Sequence, residues 1–278
     1  GACVHFFPEG TRSPDGFFLK FHRGAFRLAA ELRCDVLPLV ITDAWECLHP
    51  GGWWIEGAHV RVRALPRVTP ATFDYGAGPV ALMRHVESLL AAGFQADLDR
   101  NNTPAVLRKK VGRLYRYQGP RVGQYVFWKL RTDPLFAAID GAVPRRGRIL
   151  DLGCGYGIVA HWLLQHGDGR EIRGIDYDEA KVRVARATAA GRRRLAFEAG
   201  DILEGELPEA DAVLLLDVLH YLPPERQRAL LARVRRALDP GGRLVVRDMA
   251  REETAGHRRV LFWERFAMRL GFNKAVSG

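Results

Sequence analysis

Two short stretches hold residues whose types and spacing can do chemistry. The first is Asp151-Leu152-Gly153-Cys154-Gly155-Tyr156-Gly157, which follows the apolar Ile149-Leu150 and runs into GIVAHWLL. Only glycine lets a chain turn this tightly from strand to helix while its N–H groups touch a ligand with no Cβ in the way. The dinucleotide fingerprint G-x-G-x-x-G would need its third glycine where Ile158 stands, so that ligand class is not indicated. The second stretch is Phe7-Pro8-Glu9-Gly10-Thr11-Arg12-Ser13. A guanidinium presents paired donors in a planar fork suited to phosphate, and the glycine brings backbone N–H groups close. The same residues also read as a plain bend made by Pro, Gly and Ser.

His220 and Tyr221 form a third candidate. They follow the run DAVLLLDV, at the carboxyl end of an expected strand, where open α/β sheets bind ligands. A histidine there serves as a general base, or it orients or packs without taking a proton. Asp217 reads as a turn or pocket residue, and Cys154 as a spacer with no chemistry of its own.

The elements that must position these residues follow from hydrophobic patterning. Residues 3–7 read as a first strand leading into the PEGTRS turn, and residues 24–33 as a short amphipathic helix. DVLPLVIT is expected to be a buried strand, and GAHVRVRALP a half-exposed one with Val60, Val62 and Ala64 alternating against arginines. PVALMRHVESLLAAGFQADLD reads as a helix ending near Asn101 and Asn102. Residues 103–145 form a basic, aromatic connector, with a break at Gly119-Pro120 and a helix from Val122. From Arg148 onward strands alternate with helices, through RILDLG, EIRGID, LAFEAGDI, DAVLLLDV and RLVVRDM, a rhythm that implies a doubly wound parallel α/β sheet. The expected domains are therefore residues 1–102, the connector 103–145, and residues 146–278.

The D-x-G-x-G-x-G turn, Asp176 closing the next strand, Asp201-Ile202 after the third, and LDPGGRLVVRD in order resemble the motifs of class I S-adenosylmethionine-dependent methyltransferases. The resemblance implies a Rossmann-like fold and S-adenosyl-L-methionine as cofactor. Its site would comprise Asp151, Gly153, Gly155, Gly157, Asp176, Asp201 and Ile202. Asp176 would accept from the ribose hydroxyls, Asp201 from the adenine amino group, and the N–H of Ile202 would meet the ring. His220 would be the catalytic candidate and Tyr221 a substrate contact. The family sheet adds two further strands after the helix that follows strand five. Here HRRVLFWERFAMRLGF supplies that helix and few residues remain, so the last strands are expected to be missing and strand five to be an apolar edge.

FPEGTRS, followed by FHRGAFRLA and VLPLVI, resembles the second half of the glycerolphosphate/lysophospholipid acyltransferase family. His22 stands where that family often has lysine. The resemblance implies that Glu9, Gly10, Thr11 and Arg12 hold the head group of an acyl acceptor. The family's catalytic H-x-x-x-x-D is absent, since no histidine has an aspartate five residues later. This half should therefore bind an acceptor without acylating it. The connector YRYQGPRVGQYVFWKLRTDPLF resembles the lead-in of acyltransferase–methyltransferase fusions, and the chain reads as a piece of such a bifunctional protein.

The 278 residues carry a formal net charge of +10, which points to an acidic partner or to a solvated basic surface. The expected partners are a small-molecule or lipid acceptor and a membrane met peripherally. No aromatic-basic recognition motif indicates nucleic acid, so a polyanion-binding module without catalysis stands as the non-enzymatic alternative. The four cysteines form no C-x-x-C pair or metal cluster, no signal peptide is visible, and no apolar run reaches the roughly 18 residues of a span. A reduced, cytoplasmic setting and no metal are the corresponding expectations. Nothing in the sequence specifies an oligomeric state.

Overall fold

The computed structural model describes residues 3–47, 57, 59–167 and 169–248. The chain divides into two compact units. The first comprises residues 1–133 with two short returning stretches, 164–168 and 190–193; the second holds 134–163, 169–189 and 194–278. The division falls inside the basic connector.

In the first unit, α1 (Gly24–Glu31) precedes β1 (Leu39–Thr42), α2 (Ala44–Cys47) and β2 (Arg61–Ala64). The two strands pair antiparallel, Ile41 opposite Val62. The long helix α3 (Pro79–Asn101) buries Leu82, Val86, Leu90 and Phe94. Phe17 and Phe18 meet Phe94 at ring distances of 6.1 and 5.2 Å, giving this unit an aromatic core. Two helices of the connector follow, α4 (Pro104–Leu114) and α5 (Pro120–Thr132). Each starts with proline at its first turn, where the missing N–H costs nothing, and the Thr103 side chain caps α4. The connector is thus helical well before Val122.

The expected first strand is not formed. Residues 3–7 form no regular element and pair with no strand among the described residues, and Val4, Phe6 and Phe7 are exposed. An apolar run becomes a strand only where a neighbour accepts its N–H and C=O groups, and none is offered here.

The second unit opens with α6 (Leu135–Ala142) and alternates β3 (Gly147–Leu152), α7 (Ile158–Leu164), β4 (Arg170–Asp176), α8 (Glu179–Thr188), β5 (Leu195–Ala199), β6 (Ala210–Leu216), α9 (Pro224–Ala237) and β7 (Leu238–Arg247). All five strands are parallel, in the order β5-β4-β3-β6-β7. Chain order reverses beside β3, which creates a crevice at its carboxyl end. Central strands buried on both faces read as continuous apolar runs, and Val213, Leu214 and Leu215 are fully enclosed. Leu150, Leu152, Leu230 and Val234 complete that core. Arg170 is also enclosed. Its guanidinium is held by Asp140 at 2.8 Å and by the carbonyls of Pro144, Leu163 and Val143. β7 lies at the sheet edge among the described residues, with Val246 exposed; the residues that follow it, on which the expected absence of further strands turns, lie outside them. The helix expected over HRRVLFWERFAMRLGF lies outside the described residues.

Candidate functional site

The glycine turn sits where β3 ends and α7 begins. Gly153, Gly155 and Gly157 have φ of 79, 54 and 75°, a left-handed region that other residues enter only with strain. Their surroundings separate their roles. A Cβ on Gly153 would stand 2.4 Å from Val218 Cγ2, and one on Gly157 2.6 Å from Phe197 Cζ. A Cβ on Gly155 would meet nothing within 4 Å. The outer glycines are demanded by packing; the middle one faces open space.

The turn is tied to the end of β4. Gly153 N–H donates to the Ile175 carbonyl at 2.7 Å, and Gly155 N–H donates to Asp176 Oδ2 at 2.7 Å. The other oxygen, Asp176 Oδ1, accepts from the Asp178 N–H at 2.9 Å, while Asp178 caps α8 through Ala180 N–H. A carboxylate has about four acceptor positions. Two are used here, leaving Asp176 capacity for further donors. Asp151 lies one strand over, fully buried. Burial, with Asp176 beside it, pushes its carboxyl up to about 7. Cys154 is likewise raised by burial and by the two acids, which keeps it a thiol and unreactive.

Asp201 and Ile202 follow β5, which pairs with β4 as far as Asp176↔Ala199. Asp201 is exposed and accepts from Leu203 N–H at 2.8 Å. Ile202 packs on the apolar core. The fold therefore brings Gly155 and Asp176 into direct contact and sets Asp201 beyond the neighbouring strand.

His220 stands past β6 in a short 3₁₀ turn, Leu219–Tyr221, with the Tyr221 ring 4.0 Å away. Its Nδ1 lies 2.7 Å from Asp248 Oδ1, and its backbone N–H donates to Asp248 Oδ2 at 3.0 Å. An ionised carboxylate only accepts, so Nδ1 carries the hydrogen of this contact, while Nε2 is buried. Asp248 was not among the sequence candidates. The available signal was an acid ending LVVRD, at the carboxyl end of the last described strand. Asp217, at φ 58°, forms an ion pair with Arg247, which occupies it as a strut between β6 and β7.

In the first unit the PEGTRS stretch makes a tight turn. Gly10 has φ 70°, its N–H donates to the Phe7 carbonyl at 3.1 Å, and His22 N–H donates to the Pro8 carbonyl at 2.7 Å. Glu9 Oε2 accepts from Leu19 N–H at 2.7 Å, and burial raises the Glu9 carboxyl above its ordinary value. Glu9 thus braces the turn, while Thr11 and Arg12 are exposed.

No described helix is long and apolar enough to cross a membrane. Residues 149–242 match the family described as a methyltransferase domain, and residues 1–42 the family described as an acyltransferase. The carboxy-S-adenosyl-L-methionine synthase of Shewanella baltica (strain OS155) is 32% identical over 121 residues, 42% of this chain and 50% of that one. The chain spans about half the length of the relatives it matches. Among solved structures, PH0226 protein from Pyrococcus horikoshii OT3 is 28% identical over 43% of this chain and 57% of that chain, with a TM-score of 0.39. An S-adenosylmethionine-dependent methyltransferase from Mesorhizobium loti is 30% identical over 42% and 54%, with a TM-score of 0.37. Residues 149–242 are thus similar to a methyltransferase domain, on a parallel sheet whose strand order matches the class I Rossmann-like fold, and residues 1–42 are similar to an acyltransferase segment.

Proposed function

We propose that the chain transfers a methyl group from S-adenosyl-L-methionine to a small-molecule or lipid-related acceptor. The observation that carries this reading is Gly155, whose Cβ position is open and whose N–H is held by the acid that ends β4. The residues present fit such a cofactor. The glycine turn leaves room for close approach, Asp176 retains acceptor capacity for a ribose diol, and Asp201 is exposed beyond β5 to receive an exocyclic amine. Asp151 completes the cofactor set, and the N–H of Ile202 would meet the ring. When bound, the cofactor supplies a methyl group already activated on a sulfonium.

The chain's own residues then have to align and deprotonate the acceptor. His220 is the candidate base for the acceptor's proton; Asp248 accepts from its Nδ1–H and fixes the ring, and Tyr221 packs beside it. The names of the relatives, built on S-adenosyl-L-methionine, agree with this reading. Equilibrium titration of S-adenosyl-L-methionine by calorimetry tests it. Saturable binding is expected, and a folded protein that gives none ends the proposal.

In the first unit, Glu9, Gly10, Thr11 and Arg12 are proposed to receive a phosphate-bearing head group, with Glu9 acting through the turn it braces. Without H-x-x-x-x-D, no acyl transfer is expected from these residues. The fuller reading is a fusion of the two units that works peripherally at the inner membrane face.

A further inference from the structure

The helices α4 and α5 carry a charge pattern that neither enzymatic reading uses. Residues 103–132 contain eight Lys and Arg and no Asp or Glu. Some of these cations are occupied: Lys110 pairs with Asp43 at 2.5 Å and Lys129 with Asp133 at 2.9 Å. Arg108, Arg116, Arg121 and Arg131 are exposed. Arg108 Nε donates to the Leu130 carbonyl at 3.0 Å, which sets a cation of α4 beside the last turn of α5.

The outward face of α5 is aromatic as well as basic. Val126 and Leu130 are buried on one side, while Phe127 and Trp128 are 47% and 51% exposed on the other. Arg121, Gln124, Phe127, Trp128 and Arg131 recur at helical spacing, so they share that face. Tyr117, in the turn between the helices, is 76% exposed. Exposed large aromatics beside unopposed cations match an interface that is apolar at depth and negative at its surface. A nucleic acid would instead need open ring faces for stacking. Here the Arg131 guanidinium covers the Phe127 ring at 4.7 Å, and Trp128 meets that ring edge-on at 5.4 Å.

We infer that the outer face of the α4–α5 pair docks onto an anionic lipid bilayer, with Phe127 and Trp128 entering the interfacial layer while Arg116, Arg121 and Arg131 meet lipid phosphates. This deepens the membrane part of the proposed function and does not depend on methyl transfer.

Vesicle flotation of the full chain tests it. The chain should float with vesicles of phosphatidylcholine and phosphatidylglycerol in equal parts, remain behind with pure phosphatidylcholine, and be released by salt. Phe127→Ala/Trp128→Ala should lower partitioning about tenfold. Arg121→Gln/Arg131→Gln should lower it on the order of 20-fold, from about fivefold per charge. Both pairs are exposed, so thermal melts and cofactor titrations should match the parent and report separately on the methyl-transfer reading. Unchanged partitioning in either double variant overturns the assignment. Tighter binding to a single-stranded oligonucleotide than to the mixed vesicles, weakened by the same substitutions, overturns it too.

Discussion

Gly155 N–H donates to Asp176 Oδ2 across 2.7 Å, so the middle glycine of the β3–α7 turn is pinned by the acid that closes β4. The contact joins two residues of the expected cofactor set, and it ties the turn to the end of β4. Asp176→Ala removes the acceptor of two backbone N–H groups, Gly155 and Asp178. Cofactor affinity should fall about 10- to 100-fold, since hydrogen bonds to a charged group contribute about 1.5–3 kcal/mol each. Calorimetry measures the loss; unchanged affinity removes Asp176 from the site.

Alanine at the two neighbouring glycines should separate packing from binding. Gly153→Ala meets Val218 Cγ2 at 2.4 Å as well as an unfavourable φ, so denaturant unfolding should show a loss above 2 kcal/mol, roughly the sum of strain and overpacking. Gly155→Ala meets open space and should cost only about 1–2 kcal/mol of strain, while weakening the cofactor more than it weakens the fold.

The His220–Asp248 pair predicts a split in kinetics. His220→Asn should lower methyl transfer about 100-fold or more while leaving cofactor binding intact, because a general base acts on the acceptor alone. Asp248→Asn should lower kcat in the same direction and less severely, with little change in KM. Its role is to hold Nδ1, not to touch the acceptor. Equal rates for all three proteins would leave His220 a packing residue.

Asp151 makes stability depend on pH. Its carboxyl is raised from 3.8 to about 7 in the folded chain, so the folded state holds a proton that the unfolded state has lost. The contribution is fully present below the unfolded value and is lost as pH rises through the folded one. Asp151→Asn should therefore raise the melting temperature at pH 8 relative to the parent and gain far less at pH 4.5, with a total span of a few kcal/mol, at about 1.4 per pKa unit. Parallel pH profiles for the two proteins would contradict the burial argument.

Arg170 should be a stability residue. Its side chain is 1% exposed and is satisfied by Asp140 and three carbonyls. Asp140→Ala leaves that guanidinium short of its counter-charge and should cost about 3–5 kcal/mol in urea unfolding. Arg170→Met, which removes the charge itself and keeps much of the volume, should cost less.

Local pattern carried much of this molecule. The strand–glycine–helix turn, the helices of both units and the alternation that builds the parallel sheet are all short-range signals, set by side-chain period and by glycine's access to positive φ. The N-terminal apolar run misled for a related reason: Val4, Phe6 and Phe7 have strand composition, but a strand also needs a partner supplied by the fold. The connector read as a basic, aromatic segment with one helix from Val122 because its basic residues hide the apolar stripe formed by Leu107, Val111, Val126 and Leu130.

What the sequence by itself determined is the kind of chemistry: an activated-ligand turn, two acids on successive strands, and a histidine after the fourth. Only the tertiary structure decided which groups meet. It set Asp248, 28 residues beyond His220, on the imidazole, enclosed Arg170, and distinguished the glycine that faces open space from the two locked by Val218 and Phe197. Those are pairings across the sheet, and separation along the chain says nothing about which side chains a parallel crossover will bring together.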